Sequence, residues 1–379
     1  MFGRINNFAK YLVKLNIYRV KCKKNQSNIV DILSGSESSV LFITHNFKGG
    51  TVQYEENFVK ENNNKVIVVK IITQGKILAY NIINTNTNHN LIISRKSISD
   101  ILGYKFKSII VNSLVSANNY SEIQASLQKY KIIHPNSKVI YLVHDYHSIC
   151  PKYNLVYKNK FCNLRCEENH CKNHYYPECT KDSITKWRRN WEYFFNTIDY
   201  IVCFSNSSKE LLKNIYSNID DNKIYIKPHD MSWCNFPIID KSIMRQGNIA
   251  IVGTCNTVAK GKKVIQEILK KTNERFRFVL IGTKKEEIKT KRINVIFTGR
   301  YKHDELRDLL IKYNISLVVF PSIWPETFSY LVSEIIQMNL ELVCFDYGAQ
   351  AEKTKLYKNG TVVNNSNEMI KFIESKYII

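Results

Sequence analysis

Two carboxylates eight positions apart, Glu326 and Glu334, follow an apolar run, Ser316 to Phe320, that empties into the loop Pro321-Ser322-Ile323-Trp324-Pro325. A carboxylate accepts hydrogen bonds from sugar hydroxyls, and the free backbone N–H groups at a helix start attract phosphate. The pair suits a ligand that is anionic at one end and rich in hydroxyls at the other; ordinary acidic capping of a helix start is the competing reading. Lys260-Gly261 adds a movable point charge for a diphosphate beside a residue that admits close backbone approach, although a lysine-rich chain also places such a pair by chance. Histidines close two apolar runs in the first half. His45 leads into Gly49-Gly50-Thr51, and His144 is followed by Asp145 and Tyr146. A histidine can donate to a sugar hydroxyl or stabilise partial positive charge once Asp145 or a backbone carbonyl fixes its tautomer; a purely structural histidine is the alternative.

The elements that must hold these groups read as α/β. Short runs of buried type occur at Ile249 to Gly253, Arg277 to Gly282, Val295 to Gly299, Ser316 to Phe320 and Leu342 to Phe345, separated by helical patterns near Lys263 to Lys270, His303 to Lys312 and Phe328 to Met338. Strands alternating with helices argue for a parallel sheet covered on both faces. Pro321 and Pro325 keep the intervening chain irregular, so Glu326 falls in the loop or first turn and Glu334 about two turns along the helix. In the first half, Val40 to Thr44 precedes a helix expected from Val52 to Val59. Val139 to Val143 and Tyr200 to Phe204 read as further strands, with Ser205 to Ser208 capping a helix after the second.

The ordered set Lys260-Gly261, Phe297-Thr298-Gly299, Pro321-Ser322, Glu326-x7-Glu334 and Gly348 resembles the donor-binding half of the group 1, or family 4, retaining glycosyltransferases. The resemblance implies the GT-B fold, two Rossmann-like domains facing each other across a cleft, and transfer of a sugar from a nucleotide-diphosphate sugar with retained configuration. It implies that Lys260 binds the donor diphosphate, Glu326 the transferred sugar and Glu334 the ribose. Gly253, Thr254, Gly261, Arg300, Thr327, Phe328 and Ser329 complete the donor side, and His45, Gly49, Gly50, Thr51, Asp145 and Tyr146 the acceptor side. His144, Glu326 and Lys260 are the implied catalytic set. Many members carry an arginine just after the first-strand glycine; here Thr254 stands there, and Lys262, Lys263 or Arg300 can substitute. Nucleotide-sugar epimerisation on the same fold and a non-catalytic binding protein are the alternatives.

The domain plan that follows places a basic amphipathic segment at 1–30 and an acceptor-side domain at 31–228 with a cysteine-rich insert at 150–179. A hinge at 229–246, a nucleotide-sugar domain at 247–366 and a final helix or tail at 367–379 complete it. Cys150, Cys162, Cys166, Cys171 and Cys179 lack paired CxxC spacing, so a structural zinc site at Cys162, Cys166, Cys171 and Cys179 and disulfides are both minor readings beside reduced cysteines. The aspartate-x-aspartate signature of metal-dependent transferases is absent, and no cofactor or obligatory divalent metal is expected. A net charge of +22, with seven basic residues and no acid in the first 30 positions, suits an anionic membrane surface. Dispersed lysines without a recognised motif argue against nucleic acid. The expected acceptor is a saccharide or lipid-linked saccharide in surface glycan synthesis. No secretory signal or membrane-spanning run is evident, so the expected location is cytoplasmic, peripheral at the inner face of the membrane.

Overall fold

The computed structural model describes residues 29–46, 49–74, 77–94, 98–115, 117, 119–164, 181–240 and 247–376. Most of the basic N-terminal segment, together with Cys166, Cys171 and Cys179, therefore lies outside the described residues. Among those described, two compact units form: one from residues 29–153, 181–203 and 212–227, the other from 154–164, 204–211 and 228–376. No described helix is long and apolar enough to cross a membrane.

The first unit is built on an eight-stranded sheet. Its strands are β1 (Val40–His45), β2 (Val66–Gln74), β3 (Ile77–Asn84), β4 (His89–Ser94), β5 (Ser108–Val111), β6 (Lys138–Leu142), β9 (Tyr200–Cys203) and β10 (Ile224–Ile226), after the hairpin β7 (Val156–Tyr157) and β8 (Lys160–Phe161) of the second unit. The order is β10-β9-β6-β5-β1-β2-β3-β4, parallel up to β2 and antiparallel across β2-β3-β4. Helix α1 (Gly50–Glu61) follows β1, starting two residues earlier than the apolar pattern indicates because Gly49, at φ 135°, turns the chain directly into it. Helices α2 (Tyr120–Ile133) and α3 (Lys181–Thr197) pack against each other. In residues 204–211, which belong to the second unit, the capping expected at Ser205 is present: its Oγ accepts from Ser208 N (3.2 Å) at the start of α4 (Asn206–Lys213).

The second unit carries six parallel strands: β11 (Asn248–Val252), β12 (Phe278–Ile281), β13 (Val295–Gly299), β14 (Ile315–Phe320), β15 (Glu341–Phe345) and β16 (Gly360–Val363). Helices α5 (Lys262–Lys271), α6 (Leu306–Lys312), α7 (Tyr330–Gln337), α8 (Gly348–Lys355) and α9 (Ser366–Ser375) connect or follow them. Ile249, Ile251, Leu317 and Val319 enter one apolar cluster, whereas Ala250, Val252, Val318 and Phe320 enter the other. Burial on both faces is why these strands read as continuous apolar runs. The order β13-β12-β11-β14-β15-β16 is doubly wound, reversing between β11 and β14. Open α/β sheets bind ligands outside the carboxyl ends of the strands at such a reversal. The two sheets give the Rossmann-like pair of the GT-B class.

Candidate active site

Three loops of the second unit meet at Glu326. The β11–α5 loop is laid against the β14–α7 loop by Ile323 N donating to Ala259 O (2.9 Å) and Ser322 Oγ donating to the same oxygen (3.3 Å). Gly261, at φ 86°, lies so close to Pro321 that a Cβ there would stand 2.2 Å from the proline carbonyl oxygen. The contact needs glycine both for space and for the left-handed backbone. From the β15–α8 side, Ala349 N donates to Glu326 O (2.8 Å), and Gln350 accepts from Glu326 N (2.9 Å) while donating to Trp324 O (2.8 Å). Gly348, at φ 74°, again lies where a Cβ would collide with the backbone of Pro325 and Glu326.

This zipper brings together the two groups singled out in sequence. Lys260 Nζ donates to Glu326 Oε1 at 2.6 Å, and the lysine also lies over the Trp324 ring, 5.4 Å from its centroid. The same oxygen accepts from Trp324 Nε1 (3.2 Å) and Ser322 Oγ (3.4 Å). Burial pushes the Glu326 carboxyl up, but the Lys260 charge and the hydrogen bonds from Lys260, Ser329 and Trp324 outweigh it and hold the group below the usual carboxylate range. Lys260 is half exposed, so its charge remains open to a ligand.

Helix α7 begins at Tyr330, two residues later than the apolar spacing indicates, because Ser329 adopts a left-handed conformation (φ 63°, ψ 88°) that ends the loop. Glu334 consequently sits one turn into the helix, not two. Its carboxylate is buried against His303 Nε2 (3.0 Å). Phe328, expected to open the helix, instead packs in the loop between the stacked His229 ring (4.4 Å) and Lys353. Thr327 is buried in the same loop. At the β11 end, Gly253 (φ 108°) is bound through its carbonyl to Thr283 Oγ1 (2.7 Å), and Thr254 is exposed. Of the cations considered for the missing arginine, Arg300 is engaged by Glu287 (3.0 Å) and by the Gly282 carbonyl.

Sequence inspection missed a further cation, Lys353 on α8. Its Nζ lies 3.2 Å from the Phe328 ring centroid and donates to Ser333 Oγ (2.6 Å) and Ser329 O (3.3 Å). Burial lowers its amine to about 7, against the opposing pull of Glu326, Glu352 and Glu334. The unfolded chain keeps this proton to about pH 10.4, so between the two values the unfolded state holds more protons and stability rises with pH. Lys353→Met should remove that rise. The stability difference between wild type and variant, from urea melts at pH 7, 8 and 9, should change by up to ~1.4 kcal/mol per pH unit. A difference independent of pH contradicts the assignment.

In the first unit, β1 delivers His45 and β6 delivers His144-Asp145-Tyr146 at the carboxyl ends of the sheet. His45 Nε2 lies 3.2 Å from Thr51 Oγ1, and burial lowers this imidazole to about 4, leaving it neutral at pH 7. Tyr54, on the helix that opens at Gly50, sets its ring edge-on to His144 at 4.8 Å. The glycine turn and His144 are thus brought to one place. The Asp145 oxygens accept from Ser113 Oγ (2.6 Å) and His147 N (2.8 Å). Asp145 therefore braces the loop after β6, with Ser113 following β5. Tyr146 is fully buried. His147, three residues before Cys150, is enclosed by Tyr120, Trp187 and Trp191 and is lowered to about 3 by burial. Cys162 is half-buried.

Residues 249–374 match the family model of Glycosyl transferases group 1. No curated protein matches the chain. Among solved structures, Anabaena Alr3699/HepE in complex with UDP-glucose superposes over 89% of each chain at 12% identity with a TM-score of 0.55. Sucrose-phosphate synthase from Thermosynechococcus elongatus does so over 89% of each chain at 12% identity and 0.57. A glycosyltransferase from Rickettsia africae covers 89% of this chain and 88% of its own at 14% identity and 0.53. At these identities the likeness is one of fold. The family match spans the strands and loops that carry Lys260, Glu326 and Glu334, and it makes the chain a glycosyltransferase enzyme related to group 1.

Proposed function

We propose that this glycosyltransferase moves a sugar from a nucleoside-diphosphate sugar to a hydroxyl of a saccharide or lipid-linked saccharide, with retention at the anomeric carbon. The observation that carries the reading is the Lys260–Glu326 pair, 2.6 Å apart at the point where the strand order reverses. In this reading Lys260 meets the leaving diphosphate, Glu326 the hydroxyls of the transferred sugar and Glu334 the ribose. As the glycosidic bond breaks, negative charge grows on the diphosphate and positive charge on the ring. A fixed cation and an ionised carboxylate placed beforehand stabilise both. His144 and His45 serve the acceptor side as hydrogen-bonding groups, His45 in its neutral form. Retention, which rests on the resemblance to group 1 enzymes, has the acceptor attack from the face the diphosphate leaves, its proton passing to a donor phosphate oxygen. Work on surface glycans at the inner face of a membrane suits the basic N-terminal sequence.

Thermal melts with UDP, GDP and dTDP sugars, and a CMP sugar as a single-phosphate control, test the donor class. A ligand at 100 times its Kd adds about 2.7 kcal/mol, which for a domain of this size is roughly 5–10 °C. One diphosphate series should give that shift and be slowly hydrolysed. Silence from all of them contradicts the proposal.

A further inference from the structure

Glu334 also belongs to a cluster that sugar transfer does not require. Cys234 Sγ, a ring nitrogen of His303 and a Glu334 carboxylate oxygen all lie within 4.8 Å of one another, with His303 Nε2 and Glu334 Oε1 3.0 Å apart. The three come from an extended segment, a turn before α6 and the second turn of α7, so the fold alone assembles them. Cys234 and Glu334 are buried, while His303 is half exposed and leaves a path for an ion to enter. The imidazole is flanked by Trp233 and Phe236, each ring 5.1 Å away. The cysteine segment is tied to α7 by Gln337, whose Nε2 donates to Cys234 O (2.8 Å) and whose Oε1 accepts from Phe236 N (3.1 Å) and the thiol (3.6 Å). Neighbours of this kind fix ligand atoms before a metal arrives.

Thiolate, imidazole and carboxylate together are the donor set of a borderline-soft, tetrahedral divalent ion that keeps one position for water. Ligands about 2.0–2.3 Å from such a centre stand roughly 3.3–3.7 Å apart. The cluster brackets that range, and a small inward movement completes it. We propose that Cys234, His303 and Glu334 bind a zinc-class divalent cation, and that the cation and the donor nucleotide compete for Glu334. The competition rests on the ribose reading of Glu334; the cation site does not. On binding, the Cys234 thiol releases its proton to solvent as the sulfur–metal bond forms, and the proton that His303 Nε2 holds toward Glu334 leaves to solvent or to Nδ1 so that the Nε2 lone pair meets the metal, with no change of oxidation state.

Cobalt(II) titration of the reduced, nucleotide-free full chain tests this. Cys234→Ser should bind one equivalent less than wild type and lose the matching thiolate-to-cobalt absorption, and His303→Ala should weaken that equivalent by at least about 10-fold. Unchanged melting of both variants would show that the fold is kept; a variant that melts early is replaced by Cys234→Ala and the same comparison made. Equal stoichiometry and spectrum in wild type and variant would overturn the site and leave the ribose reading standing. Adding the nucleoside diphosphate that stabilises the protein should weaken cobalt binding, and an unchanged cobalt affinity would overturn the competition.

Discussion

Glu326→Gln should lower transfer turnover by about 100- to 1,000-fold, the size of effect seen when one preorganised electrostatic group is removed from a transition state. Glutamine keeps the shape and can still accept from Trp324 Nε1, so the loop should remain folded. It removes the charge that Lys260 now meets at 2.6 Å. The freed lysine should hold the diphosphate of the donor at least as well, which places the loss in kcat and not in KM. Lys260→Met should instead weaken donor binding by a charge-assisted contact, roughly 1.5–3 kcal/mol. The double variant should lose less than the sum of the singles, because the two groups touch. Steady-state kinetics on the four proteins read this directly, and a Glu326→Gln enzyme with unchanged kcat would remove Glu326 from the chemistry.

Gly261→Ala should lower the melting temperature of the second unit by about 4–20 °C. Two costs combine. A side chain at φ 86° carries about 1–2 kcal/mol of backbone strain, and an inserted methyl in a filled contact adds typically 1–3. The atoms in the way are the carbonyl oxygen and carbon of Pro321, at 2.2 and 2.6 Å, so relief requires the loop that carries Glu326 to shift. Activity should fall with stability for that reason. Gly299→Ala is the comparison: φ is 72°, but nothing lies within 4 Å of the added carbon, and only the conformational cost applies. Equal melting of the two variants by calorimetry would show that the Gly261–Pro321 contact does not hold the loops together.

β11, β12, β14 and β15 are legible in the sequence because both faces of each are buried, and the half-buried edge strand β13 is legible from its apolar run Val295-Ile296-Phe297; several of these strands end in glycine or proline where the chain turns to a helix. β16 escapes notice: Gly360-Thr361-Val362-Val363 is short, opens on glycine and is buried fully only at Val363. β3 and β4 escape because Asn81, Asn84, His89 and Asn90 interrupt their apolar residues and because their antiparallel pairing, Ile67 with Asn84 to Gln74 with Ile77, is a tertiary property; β2, with its apolar run Val66 to Val69, carries a strand signal of its own. Glu326, Lys260 and Gly261 could be picked out as chemical types at loop positions. That they form one cluster depends on backbone contacts between Ala259, Pro321 and Ile323, which no spacing rule reports. The start of α7 was misplaced for a similar reason: the left-handed turn at Ser329 leaves no mark in side-chain periodicity. Lys353 and Gln350 follow Gly348 on α8, and only their positions in the folded unit distinguish them from ordinary surface residues.

The central claim is that Lys260 and Glu326 hold a nucleoside-diphosphate sugar for retaining transfer. Its most direct test is proton NMR of the first product formed from an α-linked donor of the series that stabilises the protein. The account predicts release of nucleoside diphosphate together with an α-anomeric product, both suppressed in Glu326→Gln. A β-anomeric product, or turnover that survives unchanged in that variant, would contradict it.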